Sequence, residues 1–249
     1  MHSGRLFVGT SGWSYRHWAK GRFYPKGMKS GEWLGYYAER FATAEVNSTF
    51  YRLPRRSMLE KWRERTGDHF RFAIKLWRRV THHKKLNACG GELEDFLDRI
   101  RTLGPKRGPL LVQLPPSQGL DVEKMRAFLE ELDAAMGQDR LAVTVEFRHP
   151  GWLCREAYEL LAEYGVATCL ADLPTCPIRE PNEAPFVYVR RHGPGGDYRS
   201  NYGAGQIRRE AEDVGQWLKR GRDVYVYYNN DIEGYAVDNA RQLAEAVGG

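Results

Sequence analysis

Short apolar runs alternate with longer amphipathic ones eight times along the chain, and no other feature restricts the fold as strongly. The strand candidates are Leu6 to Gly9, Ala44 to Asn47, Phe70 to Lys75, Leu110 to Gln113, Ala142 to Phe147, Ala167 to Asp172, Phe186 to Arg190 and Val224 to Tyr228. Helical spacing runs over Trp33 to Phe41, Met58 to Arg65, Leu93 to Leu103, Val122 to Met136, Arg155 to Tyr164, Ile207 to Lys219 and Val237 to Val247. Only the stretch between Asp172 and Phe186 lacks a helical pattern, and it carries Pro174, Pro177, Pro181 and Pro185. Eight units in 249 residues match the size and rhythm of one α/β domain, a (β/α)8 TIM-like barrel over 1–249 with a Pro-rich connection in place of the helix after strand six. A doubly wound sheet is the alternative, but the first turn, Gly9-Thr10-Ser11-Gly12-Trp13-Ser14, does not fit its G-x-G-x-x-G fingerprint.

Seven of these runs carry a polar residue at or beside the C-terminal end: Glu45, Lys75, Gln113, Glu146, Asp172, Arg190 and Asn229. Side chains alternate along a strand, and helices cover a barrel's outside, so the apolar parity faces outward and the polar parity inward. Val143, Val145 and Phe147 thus oppose Thr144, Glu146 and Arg148, and Val187 and Val189 oppose Tyr188, Arg190 and His192. The expected ring holds three acids (Glu45, Glu146, Asp172) and three bases (Lys75, Arg148, Arg190), converging at the C-terminal mouth where barrels keep their sites. Two readings follow: a ligand site, or a buried ion network that only fixes barrel geometry.

As a site, the ring suits an anion, with no cofactor required. Lys75, Arg148, Arg190 and His192 would hold a phosphate-bearing ligand, Asn47, Gln113 and Asn229 would orient it, and Glu45, Glu146 or Asp172 would act as general acid or base. The glycines of Arg190-Arg191-His192-Gly193-Pro194-Gly195-Gly196-Asp197-Tyr198 let backbone amides approach such a group. Lys75 is also a candidate Schiff-base nucleophile. Aromatic residues crowd the mouth loops, among them Trp13, Tyr15, Trp18, Phe23, Phe50 and Tyr198. They can stack on bases or sugars, or plug the barrel top, which is the expectation for Trp18, Phe23 and Phe50. The basic run Arg78 to Lys85 is a candidate polyanion contact and equally a solvated loop.

Composition narrows the classes further. The net charge of +6 permits an anionic partner without demanding one. No apolar stretch is long enough for a membrane span or a leader, so a cytoplasmic protein without membrane partner is expected. The four cysteines form no C-x-x-C pair and are expected to be reduced. A metal is disfavoured because Arg148 and Arg190 compete for the carboxylates. The commonest glycosidase barrels place acids after strands four and seven, where this chain has Gln113 and Arg190; a Glu45–Glu146 pair keeps a carbohydrate-active reading open.

Several motifs in one order carry a family resemblance: Val8-Gly9-Thr10-Ser11-Gly12-Trp13-Ser14-Tyr15, Glu45-Val46-Asn47-Ser48-Thr49-Phe50-Tyr51, Gln113-Leu114-Pro115-Pro116, Val145-Glu146-Phe147-Arg148-His149 and Tyr228-Asn229-Asn230-Asp231. Together they resemble the YecE-like family, domain of unknown function 72, over nearly the whole chain. The resemblance implies a (β/α)8-type fold and no established activity. A distant likeness to the endonuclease IV group invites a nucleic-acid role, but that group's His and acidic metal ligands are not matched here. The leading expectation is a hydrolase, lyase or binding protein for a small anionic ligand, nucleotide or nucleic acid. A non-catalytic nucleic-acid-binding protein is the alternative, and the oligomeric state is left open.

Overall fold

The computed structural model describes residues 3–248. Eight parallel strands form one sheet: β1 (Leu6–Thr10), β2 (Thr43–Val46), β3 (Arg71–Lys75), β4 (Arg107–Gln113), β5 (Val143–Glu146), β6 (Ala167–Ala171), β7 (Phe186–Arg191) and β8 (Asp223–Tyr228). Their order, β1-β8-β7-β6-β5-β4-β3-β2, brings the two terminal strands together in a nearly closed barrel. The helices are α1 (Trp33–Ala38), α2 (Ser48–Tyr51), α3 (Arg56–Glu64), α4 (Gly90–Ile100), α5 (Val122–Met136), α6 (Arg155–Glu163), α7 (Ala204–Lys219) and α8 (Tyr235–Gly248). Among the described residues no helix separates β6 from β7, as the proline spacing predicts.

The parity argument holds for the strands that alternate. Val143, Val145, Val187, Val189, Val224 and Val226 belong to the large core between sheet and helices, while Ala73, Leu111, Cys169, Tyr188, Tyr225 and Tyr227 fill the barrel interior. Phe7 stacks on Tyr225 with centroids 4.5 Å apart, so the polar ring above rests on an aromatic floor.

The seam between β1 and β2 is closed by a side chain. The Tyr37 hydroxyl from α1 accepts from the Thr10 N–H at 2.9 Å and donates to the Thr43 carbonyl at 3.1 Å. Gly9 is required there, because a β-carbon at that position would lie 2.1 Å from the Thr43 carbonyl oxygen. Trp18 and Phe23 are buried beside this seam, as the plug reading expects. Phe50 is not part of that plug; it stands half-buried at the mouth, its ring 4.2 Å from the Lys75 ammonium.

Candidate functional site

Arg190, at the penultimate position of β7, is the centre of the mouth. Its Nε and Nη2 donate to the two oxygens of Glu45 at 3.0 and 2.8 Å, and its Nη1 pairs with Glu146. Glu45 also accepts from the Tyr188 hydroxyl at 2.7 Å, and Glu146 pairs with the Arg148 Nε. Glu45 and Glu146 are fully buried and Arg190 is 1% exposed, so each charge needs these partners. Burial pushes Glu45 up, and the charge and hydrogen bonds of Arg190 outweigh it, leaving the carboxyl below its ordinary value. Burial opposed by Arg190 and Arg148 does the same to Glu146.

His192 lies behind this chain of ions. Burial lowers its pKa, so the imidazole is neutral at neutral pH. Its Nε2 faces the Arg190 and Arg148 guanidiniums at 3.3 and 3.4 Å, and these can only donate. The proton therefore sits on Nδ1, which faces Asp172 Oδ1 at 3.4 Å.

Asp172 is not a member of the inward ring. Cys169 takes the inward face of β6, and alternation turns Asp172 the other way. From the rim it accepts from the His192 N–H at 2.9 Å and from the Tyr202 hydroxyl. It borders a cleft of about 570 Å³ outside the barrel, in the space where a helix after β6 is missing. Burial raises its pKa, but the His192 contact and the Arg191 charge bring it below the ordinary value. A general acid needs a raised pKa; all three carboxyls are lowered and remain ionised. In that form they balance charge and can accept a proton, but are poorly suited to donate one near neutral pH.

Lys75 differs from the other bases. It is 8% exposed, makes no ion pair among the described residues, and donates to Gln113 Oε1 at 2.6 Å. Burial first, then the Arg190 charge, lowers its pKa to about 8 against the pull of Glu146 and Glu45. The chain Glu45–Arg190–Glu146–Arg148 is neutral by itself, and the Lys75 charge stands outside it.

The remaining predicted residues collect around this core with different duties. Asn47 follows β2 and its Nδ2 donates to the Ser11 carbonyl at 3.3 Å, while its Oδ1 is buried without a partner. Tyr198, held at φ 60°, receives the Arg148 Nη1 at 3.0 Å. The Asn229 N–H donates to the Arg191 carbonyl at 2.7 Å, and its side chain is half-buried at the rim. Trp13 turns over the rim toward α3, edge-on to Trp62 at 5.0 Å. Two amides of the Gly193–Gly196 loop are engaged: the Gly193 N–H donates to the Tyr202 hydroxyl at 2.7 Å and the Gly196 N–H to the Gly193 carbonyl at 2.7 Å. The Arg78 to Lys85 run is partly neutralised, since Arg79 and Lys84 both grip Glu92.

Sequence reading misses a second buried pair. Arg191 points away from the barrel interior to Glu210 of α7 at 2.7 Å, and Glu210 accepts from the Tyr228 hydroxyl at 2.8 Å. The signal for it is a charged residue on the outward face of a buried strand, directly after Arg190.

Eight parallel strands carrying a charge-balanced polar mouth at their C-terminal ends define a TIM-barrel protein with its candidate site in the usual place. Among the described residues, no group of three or more His, Cys, Asp or Glu is placed to hold a metal, and no helix is long and apolar enough to cross a membrane. The chain belongs to the family described as Protein of unknown function DUF72, whose model matches residues 7–249. It is 30% identical over 161 residues to the protein YecE of Escherichia coli, covering 65% of this chain and 55% of YecE. It is 23% identical to YunF of Bacillus subtilis over 97% of this chain and 94% of that one. The solved structure of a DUF72 family protein from Thermotoga maritima superposes with TM-score 0.87 at 29% identity, covering 98% of this chain and 100% of that chain. A D-psicose 3-epimerase, at 12% identity and TM-score 0.51, shares the fold alone.

Proposed function

We propose that this protein binds a small anionic, phosphate-bearing ligand at the barrel mouth, with Lys75 as its anchor and Arg148 as the second cation. The observation that carries the reading is the Lys75 ammonium: buried, outside the neutral ion chain, with only Gln113 taking one of its three donor positions among the described residues. An unpaired ammonium in such a place costs several kcal/mol, and an anion offsets that cost. Gln113, which already accepts from the ammonium, would orient the ligand, and Asn47 and Asn229 are the further amides proposed to do so. The test is calorimetric titration with inorganic phosphate, sulfate and nucleoside monophosphates. Lys75→Met is expected to weaken binding at least about tenfold, the scale of one charge-assisted hydrogen bond. Unchanged affinity in that variant, or no binding by the parent, refutes the reading.

A second reading concerns catalysis. With the three carboxyls ionised, Lys75 at about 8 is the mouth group best poised to exchange a proton near neutrality. That favours amine chemistry on a carbonyl, as in a Schiff-base lyase, over two-carboxylate hydrolysis. Borohydride trapping of a carbonyl compound on Lys75, followed by peptide mass analysis, distinguishes it from binding alone.

A further inference from the structure

Arg52, Arg55, Lys61 and Arg65 line one groove of about 430 Å³ along α2 and α3, and among the described residues no acidic side chain shares its walls. All four are exposed. None makes an ion pair among the described residues, whereas their neighbour Arg56 pairs with Asp98, and Arg101 and Arg107 share Asp139. Glu60 and Glu64 alternate with these cations on α3 but do not line the groove. Like charges gathered in a concavity focus a positive potential there and attract a polyanion.

The groove adjoins a second cavity of about 420 Å³, with which it shares Ser48, Met58, Trp62 and Arg65 as lining. The Arg65 Nη1 donates to the Gly31 carbonyl at 2.7 Å, which fixes that cation at the junction. Trp13 and Trp62 supply ring surface in the cavity, and Glu45 and Asn47 form its inner wall. Asn47 Oδ1, buried without a partner, is an acceptor in need of an N–H.

We propose that this double cavity binds single-stranded nucleic acid, with backbone phosphates on Arg52, Arg55, Lys61 and Arg65 and one unstacked base turned in against Trp13 and Trp62. A cationic track beside aromatic rings is the arrangement that holds a single strand. A base stacked inside a duplex cannot enter a cavity of this depth, and an amino-bearing base supplies the N–H that Asn47 lacks. The inference deepens the anion-binding reading by naming the ligand class, but it stands on residues other than Lys75. Asn47 is common to both, so Lys75 on one side and the groove cations with Trp62 on the other let the two readings fail separately.

The test is fluorescence anisotropy with a labelled oligodeoxyadenylate of about 15 nucleotides, the span one such surface covers. The parent is expected to bind, with affinity falling steeply between about 50 and 200 mM salt. Replacing Arg52, Arg55, Lys61 and Arg65 together by Ala, all exposed positions, is expected to lower melting only slightly through the lost Arg65 bond to the Gly31 carbonyl, weaken binding at least about 30-fold and flatten the salt slope by roughly 0.7 for each phosphate no longer neutralised. Trp62→Phe and Asn47→Ala are expected to weaken binding of the strand but not of inorganic polyphosphate. Lys75→Met, which tests the mouth, is expected to keep the groove's salt-dependent share. No binding by the parent, full binding by the quadruple variant, loss confined to Arg78 and Lys85 variants, or equal retention of polyphosphate and anionic vesicles irrespective of Trp62 overturns the proposal.

Discussion

Arg190 holds Glu45 by two parallel hydrogen bonds, at 3.0 and 2.8 Å, while its third nitrogen is committed to Glu146. One guanidinium thus bridges two buried acids contributed by β2 and β5, three strands apart in the barrel wall, and Arg148 supplies the second positive charge. Arg190→Met leaves Glu45 buried without its ion-pair partner and Glu146 with Arg148 alone, and we expect a loss of about 3–5 kcal/mol in denaturant unfolding at neutral pH. Arg190→Lys is expected to recover only part, since a point charge cannot reproduce the planar fork.

The same pair sets an acid response. Glu45 and Glu146 both lie below their ordinary value of 4.5 in the folded chain. Their contribution is present above that value and is lost as pH falls through the folded ones. The parent is expected to lose stability progressively below pH 4.5. The Arg190→Met variant, in which burial pushes the unpaired Glu45 up instead while Glu146 keeps Arg148, is expected to gain stability as pH falls from 7 toward 5. Chemical unfolding across this range reads both slopes.

Lys75 has the opposite linkage. Its folded value of about 8 lies below the ordinary 10.5, so between these pH values the unfolded chain holds a proton that the folded one has released. Stability is expected to rise with pH across that window, and Lys75→Met to remove the rise while stabilising the protein at neutral pH by up to about 3 kcal/mol. Sulfate, whose charge is constant there, is expected to bind progressively more weakly above pH 8. Calorimetry at several pH values checks this.

Tyr37→Phe removes one oxygen and with it both bonds across the β1–β2 seam. The expected cost is about 1–3 kcal/mol, and the Thr10 amide is expected to exchange with solvent much faster. Gly9→Ala is expected to be worse, because its methyl meets backbone rather than a movable side chain.

Much of this architecture is readable in the residues. Val122–Met136 is legible to its end residues, and parity identifies Glu45, Glu146 and Arg190 as inward because their strands alternate. Asp172 is misread because β6, Ala-Thr-Cys-Leu-Ala, does not alternate apolar with strongly polar side chains and so carries no parity signal. The unpaired cations of α2 and α3 look no different in sequence from Arg56, since compensation by Asp98 of α4 is a tertiary fact. Phe50 reads as core by its ring and becomes a mouth residue through the Lys75 ammonium beside it.

The gap left by the missing helix after β6 has a consequence for the mouth. Its cleft, bordered by Asp172, Arg191, Tyr202 and Glu210, is wet on one side, while Asp172 touches His192 on the other. Adjacent residues of β7, Arg190 and Arg191, serve the interior and the exterior respectively. The barrel wall is here one strand thick and bridged by a carboxylate and an imidazole. Asp172 borders the outer cleft, and His192 behind it faces the Arg190 and Arg148 guanidiniums, so two side chains join the outer cleft to the mouth.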